Sequence, residues 1–380
     1  MSTQNPLLRL KTFGQSIWLD YIERSILKDG TLARWIREDG LAGMTSNPAI
    51  FEKSIAHTDH YNSAIERLAG QDIATEALYE RLAVEDVRAA ADLFRPVFDE
   101  SGGLDGYVSL EVSPLLAHDT EATTRDAHRL WGELDRPNVM IKVPAMREGL
   151  PAVRELIRSG LNINVTLLFA VERYVDVVEA YLSGLEARLA DGRPIDHVAS
   201  VASFFLSRID VKVDPLFDAI AADDDPARAA TARALRGEIA VASAGMAYRR
   251  FRELFAGPRW EALAARGARA QRLLWASTGT KDPNYSDTKY VDALIGPQTV
   301  NTIPVETLEA YRDHGDPAAR LEEAAARAPE LLERLAGLGI DLGRIDRELE
   351  EEGVKKFVEP FRHLLETVEG QRRAALARRT

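Results

Sequence analysis

The sequence predicts an α/β protein built as one (β/α)8 barrel with extra helices, mainly at its C-terminus. Three observations carry the prediction. Short β-like runs recur eight times along 380 residues, and each is followed by a helical pattern. No composition break marks a second domain, and the length suits one large barrel. Parallel strands need crossover helices, so repeated β-then-α units close most simply into a barrel.

The β-like runs lie at Ser16–Asp20, Leu41–Thr45, Gly106–Val112, Val139–Val143, Leu161–Thr166, His197–Ser203, Arg272–Ser277 and Thr299–Ile303. Each is short, rich in apolar residues and bounded by turn formers, as a strand buried on both faces requires. Amphipathic stretches follow at Glu121–Leu134, Met146–Arg158, Ala170–Ala190, Pro226–Phe255, Asp282–Leu294 and Pro304–Arg312. The cluster Asp223-Asp-Asp-Pro226 reads as a turn and N-cap before the long Pro226–Phe255 helix. The barrel is expected to occupy residues 15–303, with added helices over 317–369 and a frayed basic tail over 370–380.

Composition narrows the function. The hydrophobic fraction of 46% and charged fraction of 28% are those of an ordinary soluble enzyme. A net charge of −12 argues against nucleic acid as a partner, and a phosphate-bearing ligand would need locally placed cations or helix N-termini. No run approaches 18 apolar residues, so no membrane span is expected, and the opening Met1-Ser-Thr-Gln-Asn-Pro6 does not read as a secretory signal. Zero cysteines exclude disulfides and thiol chemistry and fit a cytoplasmic location. The seven histidines form no His-x-x-x-His pair, and no Gly-x-Gly-x-x-Gly follows a strand. Neither a metal nor a dinucleotide cofactor is expected.

The most informative residue is Lys142, a cation inside the apolar run Asn138-Val-Met-Ile-Lys-Val-Pro-Ala145. Burying its ammonium is costly, so it must be paired, reach water or sit partly neutral. A neutral amine can attack a carbonyl and form a Schiff base. The alternative is a charged lysine at a strand end, snorkelling to solvent or paired with a carboxylate. A barrel places its chemistry at the C-terminal strand ends, where Asp20, Asn47, Glu111, Lys142, Thr166, Ser203, Arg208 and Ser277 all fall.

Six segments together resemble the transaldolase family of Schiff-base aldolase barrels. They are Gly43-Met-Thr-Ser-Asn-Pro-Ala-Ile-Phe51, the Lys142 segment, Leu161-Asn-Ile-Asn-Val-Thr-Leu-Leu-Phe169, Ser200-Val-Ala-Ser-Phe-Phe-Leu-Ser-Arg208, Trp275-Ala-Ser-Thr-Gly-Thr-Lys281 and Leu349-Glu-Glu-Glu-Gly-Val-Lys-Lys-Phe357. The likeness runs from about Gln15 to Glu369. It implies reversible transfer of a dihydroxyacetone unit between sugar phosphates of the pentose phosphate pathway, without a cofactor, by a monomer or homodimer. Lys142 would form the Schiff base, Asp20 would move the C4 hydroxyl proton, and Glu111 with Thr166 would position a water. Asn47, Asn164 and Ser203 would bind substrate hydroxyls, and Arg208 and Ser277 the phosphate.

One position departs from the family pattern. Where a second phosphate-binding arginine is often found stands Gly279, so Lys281 is expected to supply the charge. Gly279 would let backbone amides at the start of the Asp282–Leu294 helix approach the phosphate. Other readings stay open at single residues. Asp20 could cap the following helix, Asn47 could shape the turn before Pro48, and Glu111 could merely pair with Lys142. Two rival functions remain, a class I aldolase that releases its three-carbon fragment and a barrel retained as a non-catalytic scaffold. Aldolase relatives of the first kind resemble shorter chains and carry glutamine at the Glu111 position.

Overall fold

The eight apolar runs hydrogen-bond side by side in a ring, because each is short, buried on both faces and separated from the next by helix. The computed structural model describes residues 5–378. The start of the chain up to Gln4, and Arg379 and Thr380 of the basic end, lie outside the described residues. The strands are β1 (Gln15–Asp20), β2 (Gly43–Thr45), β3 (Tyr107–Glu111), β4 (Val139–Pro144), β5 (Ile163–Leu168), β6 (Ser200–Phe205), β7 (Arg272–Ala276) and β8 (Thr299–Ile303). They form a closed parallel barrel in sequence order. The β8–β1 pairing closes it, with Gln15 opposite Thr299.

Register decides which side chains share a side of the barrel wall. Glu111 pairs with Lys142, Lys142 with Asn164, and Asp20 with Thr45, so these side chains converge from neighbouring strands. Gly43 shows how tightly that wall is built. A Cβ there would lie 2.5 Å from the Trp18 indole, so only glycine lets β2 approach the fully buried tryptophan of β1.

The helices depart from the sequence reading at three places. The stretch Pro226–Phe255 is two helices, Pro226–Leu235 and Ile239–Leu254, because Gly237 sits between them at φ +77. Asp225 caps the first, accepting from the backbone amides of Ala227 and Arg228. The expected helix Asp282–Leu294 is reduced to Lys289–Asp292. Its first residues prefer a turn, in which the Asp282 carboxylate accepts from the amide of Asn284.

The third departure is at the C-terminus. The two added helices are Leu321–Gly337 and Leu342–Ala377, and the second runs through the stretch expected to fray. Arg372 holds it down by donating to the carbonyls of Ala69, Gln71 and Ile73, just beyond the helix Asn62–Ala69. Ala69 is the last residue of that helix, so the arginine caps its end and ties down the turn that follows. Further helices, Thr31–Asp39, Pro48–Ala56, Asn62–Ala69 and Thr75–Glu100, fill the length between β1 and β3. No helix of the described residues is long and apolar enough to cross a membrane.

Candidate active site

Lys142 projects from the middle of β4 and is 4% exposed. Its Nζ lies 3.4 Å from Glu111 Oε2 and donates to the carbonyl of Ser46 at 3.2 Å. The ring of Phe357, carried by the Leu342–Ala377 helix, sits 5.4 Å from the ammonium. The last helix therefore covers the amine that the fourth strand presents.

Two carboxyls flank this amine, and their surroundings differ. Glu111 ends β3, and apart from Lys142 no group among the described residues bonds its oxygens. Burial pushes its carboxyl up to about 7, while the Lys142 charge pulls the other way. A group titrating there can hold or release a proton at neutral pH. Asp20 ends β1, and its Oδ1 accepts from Thr45 Oγ1 at 2.7 Å. Burial raises its carboxyl too, opposed by Lys142, by the Thr45 hydrogen bond and by Arg208. Asp20 does not cap the next helix. Glu23 does so, accepting from the amide of Ser25.

A small cavity of about 90 Å³ lies above Lys142. Of the residues singled out from the sequence, Asp20, Asn47, Lys142, Thr166, Ser203, Arg208 and Ser277 line it. Thr166 Oγ1 is buried and has no hydrogen-bond partner among the described residues. The side chain of Asn47 caps the helix Pro48–Ala56 by accepting from Ile50 N at 3.0 Å, and the residue also lines the cavity.

Arg208 lies in the first turn of the helix Ser207–Ala221, directly after β6. Its Nη1 is buried without a partner, and its guanidinium lies 5.3 Å from the Phe205 ring. Burial pulls its pKa down, against the attraction of Asp20 and Glu352. Ser277 follows β7 at φ +55, a conformation rare outside glycine, and its hydroxyl lies 2.8 Å from that of Ser207. A buried guanidinium with an unused donor, beside a helix N-terminus, is chemically suited to an anion.

Three singled-out residues stand apart from the cavity lining. Glu111 sits one strand behind it, against Lys142. Asn164 spends its amide inside the wall, donating to Ser109 Oγ at 3.1 Å and accepting from Ser203 Oγ at 2.7 Å. Lys281 is exposed and borders an open depression with Thr280, Asp282 and Tyr285. Its Nζ lies 3.8 Å from where a Cβ on Gly279 would be. Because no helix starts at Asp282, the expected ring of backbone amides at that point does not form.

Sequence reasoning missed Thr45, Phe205, Ala276, Thr302 and Phe357 in the lining. Thr45 and Thr302 meet hydroxyl to hydroxyl at 2.7 Å. Thr45 ends β2 and Thr302 stands one residue before the end of β8, and that position was the available signal. Phe205 and Phe357 look like ordinary core residues, and the Ser46 carbonyl is backbone, so nothing in their residue types marks them.

A buried lysine between two carboxyls of raised pKa, at the C-terminal mouth of a parallel barrel, defines a carbonyl-handling barrel of the aldolase type. Comparison with known proteins narrows the class. The family model described as transaldolase/fructose-6-phosphate aldolase matches residues 17–368, and the chain belongs to that family. It is 48% identical to "Transaldolase 2" of Nostoc sp. over 97% of each chain. It is 46% identical to a transaldolase of Trichodesmium erythraeum, covering 96% of this chain and 97% of the other. A transaldolase of Saccharopolyspora erythraea is 44% identical, covering 98% and 99%.

Proposed function

We propose that the chain catalyses the transaldolase reaction, moving a dihydroxyacetone unit from a ketose phosphate to an aldose phosphate. The observation that carries this reading is Lys142 buried beside Glu111 and Asp20 beneath a cavity edged by the free donor of Arg208. Sedoheptulose 7-phosphate and glyceraldehyde 3-phosphate then give erythrose 4-phosphate and fructose 6-phosphate, reversibly. The relatives' names support the reading.

The chemistry proceeds as follows. The neutral amine of Lys142 attacks the ketose carbonyl carbon, and the resulting carbinolamine loses water to give an iminium. Asp20 takes the C4 hydroxyl proton, the C3–C4 bond breaks, and its electron pair moves into the iminium as an enamine. The first aldose leaves as an aldehyde. The enamine attacks the acceptor aldehyde, Asp20 returns the proton, and water hydrolyses the new iminium. Glu111, able to change its protonation near neutral pH, and the free hydroxyl of Thr166 serve the proton transfers that make and hydrolyse the Schiff base.

Asn47 and Ser203 bind substrate hydroxyls, and Asn164 fixes the Ser203 hydroxyl. Arg208 and Ser277 take the phosphate at the mouth, and Lys281 reaches toward the phosphate across Gly279. Phe357 and Phe205 keep water from protonating the enamine before an acceptor arrives. No cofactor is required, and the reaction belongs in the cytoplasm.

The test is release of glyceraldehyde 3-phosphate from fructose 6-phosphate, with and without erythrose 4-phosphate. Release that depends on the acceptor is expected. Sustained release without it makes the chain an aldolase, and silence in both arms removes the catalytic reading. Borohydride trapping of a three-carbon adduct on Lys142 tests the covalent step separately.

A further inference from the structure

Beside the barrel mouth, past the ends of β4 and β5, the helical layer carries a groove of about 1010 Å³. The helices Gly149–Ser159, Val171–Ala190, Ile239–Leu254, Leu321–Gly337 and Leu342–Ala377 all contribute to it. Phe169 borders it and packs at 5.4 Å on Phe205, so a layer of aromatic rings separates it from the cavity above Lys142.

Two buried polar groups in its wall lack partners among the described residues. Asp346 is 5% exposed and makes no hydrogen bond or ion pair among the described residues, and its Oδ1 is sealed off. Ser243, 2% exposed, also has a hydroxyl without a partner. A buried carboxyl without a partner is costly, and in a folded protein it asks for an explanation. Arg173, which also lines the groove, does not supply one. It is engaged by Glu350 at 3.3 Å and by Asp176 at 3.3 Å.

The local field has a sign. Glu172, Glu350 and Asp341 act on Asp346 as like charges, and Arg347 opposes them. An added anion would be repelled there, and an added cation would be held. Leu150, Met246, Leu332 and Leu342 form the apolar part of a lining that also carries Arg147, Arg154 and Arg250.

We propose that this groove binds a small amphipathic amine, its ammonium on Asp346 and its alkyl chain along Leu150, Met246, Leu332 and Leu342. Ser243 offers a hydroxyl to the same ammonium. The site is distinct from the one that handles sugar phosphates and does not depend on the reaction proposed above. Asp346 and Phe357 are carried eleven residues apart on one helix, about 16 Å along its axis. An occupant therefore rests on the same helix that covers Lys142.

The test is isothermal titration calorimetry of the full chain at pH 9, where the carboxyl is ionised and the amine keeps its proton, with hexylammonium, hexanol and hexanoate. Saturable one-to-one binding of hexylammonium is expected, tighter than either control. In Asp346→Asn its affinity falls by about tenfold or more, the scale of one lost ion pair. Circular dichroism and turnover of fructose 6-phosphate check that the variant is folded. The ranking of the three probes on the unaltered chain decides the question even if the variant folds poorly. Absence of saturation, hexanol or hexanoate binding as tightly as hexylammonium, or equal affinity in a folded Asp346→Asn would each overturn the proposal.

Discussion

Replacing Asp346 with asparagine should stabilise the protein, and the gain should depend on pH. Burial, with Glu172 and Glu350 beside it, pushes this carboxyl up to about 8 from the usual 3.8. The native state therefore binds more protons than the unfolded chain between those values, so stability falls as pH rises through that window. Each pH unit is about 1.4 kcal/mol. The loss is near zero at pH 4, reaches about 4 kcal/mol at pH 7 and levels off above pH 8. Asparagine does not titrate, but its amide also lacks partners, which offsets about 1–2 kcal/mol of the gain. A net stabilisation of about 2–3 kcal/mol at pH 7 is expected. The assay is urea unfolding of both proteins at pH 4.5, 6 and 7.5. The variant's advantage should widen by roughly 1.4 kcal/mol per unit. An advantage that stays constant across this range would refute the reasoning, because it would mean that water or a partner reaches the carboxyl in the native state.

Other outcomes follow from the site and the wall. Lys142→Met should abolish transfer and borohydride trapping with the fold intact, read by turnover beside circular dichroism. In the pH dependence of kcat/KM a limb near 7 is expected from Glu111, and Glu111→Gln should remove it; an unchanged limb would assign it to another group. Arg208→Ala should raise KM for fructose 6-phosphate by about a hundredfold, the scale of a lost charge-assisted contact, and leave free dihydroxyacetone as donor nearly unaffected. Gly43→Ala should cost about 1–3 kcal/mol in thermal unfolding, because its methyl would overlap the Trp18 indole.

The strands were legible for a simple reason. In a parallel barrel both faces of the wall are covered, so each strand is an apolar run, and a polar residue inside one stands out. Lys142, Asn164 and Ser203 were visible on that ground, and register then brought them side by side. Helix limits were harder to read. The apolar spacing of Pro226–Phe255 continues across Gly237, and one positive φ breaks it where periodicity gives no warning. In Asp282–Leu294 the competing bonds of Asp282 to Asn284 and Arg236 prevail over the helical pattern. The arginines at the C-terminus looked like a solvated tail, because the carbonyls that Arg372 caps lie some three hundred residues earlier in the chain. The aromatic cover over the amine was invisible for a related reason. A phenylalanine in a C-terminal helix carries no mark of the strand it will face.

That cover also gives the protein a built-in order of events during synthesis. The chain can close its barrel once β8, ending at Ile303, has emerged. Phe357 belongs to the helix Leu342–Ala377, the last described element to be made. A nascent barrel thus holds Lys142 beneath an open mouth, where water would meet any enamine it formed. Lys142 is shielded only once the helix Leu342–Ala377 has been made and has docked.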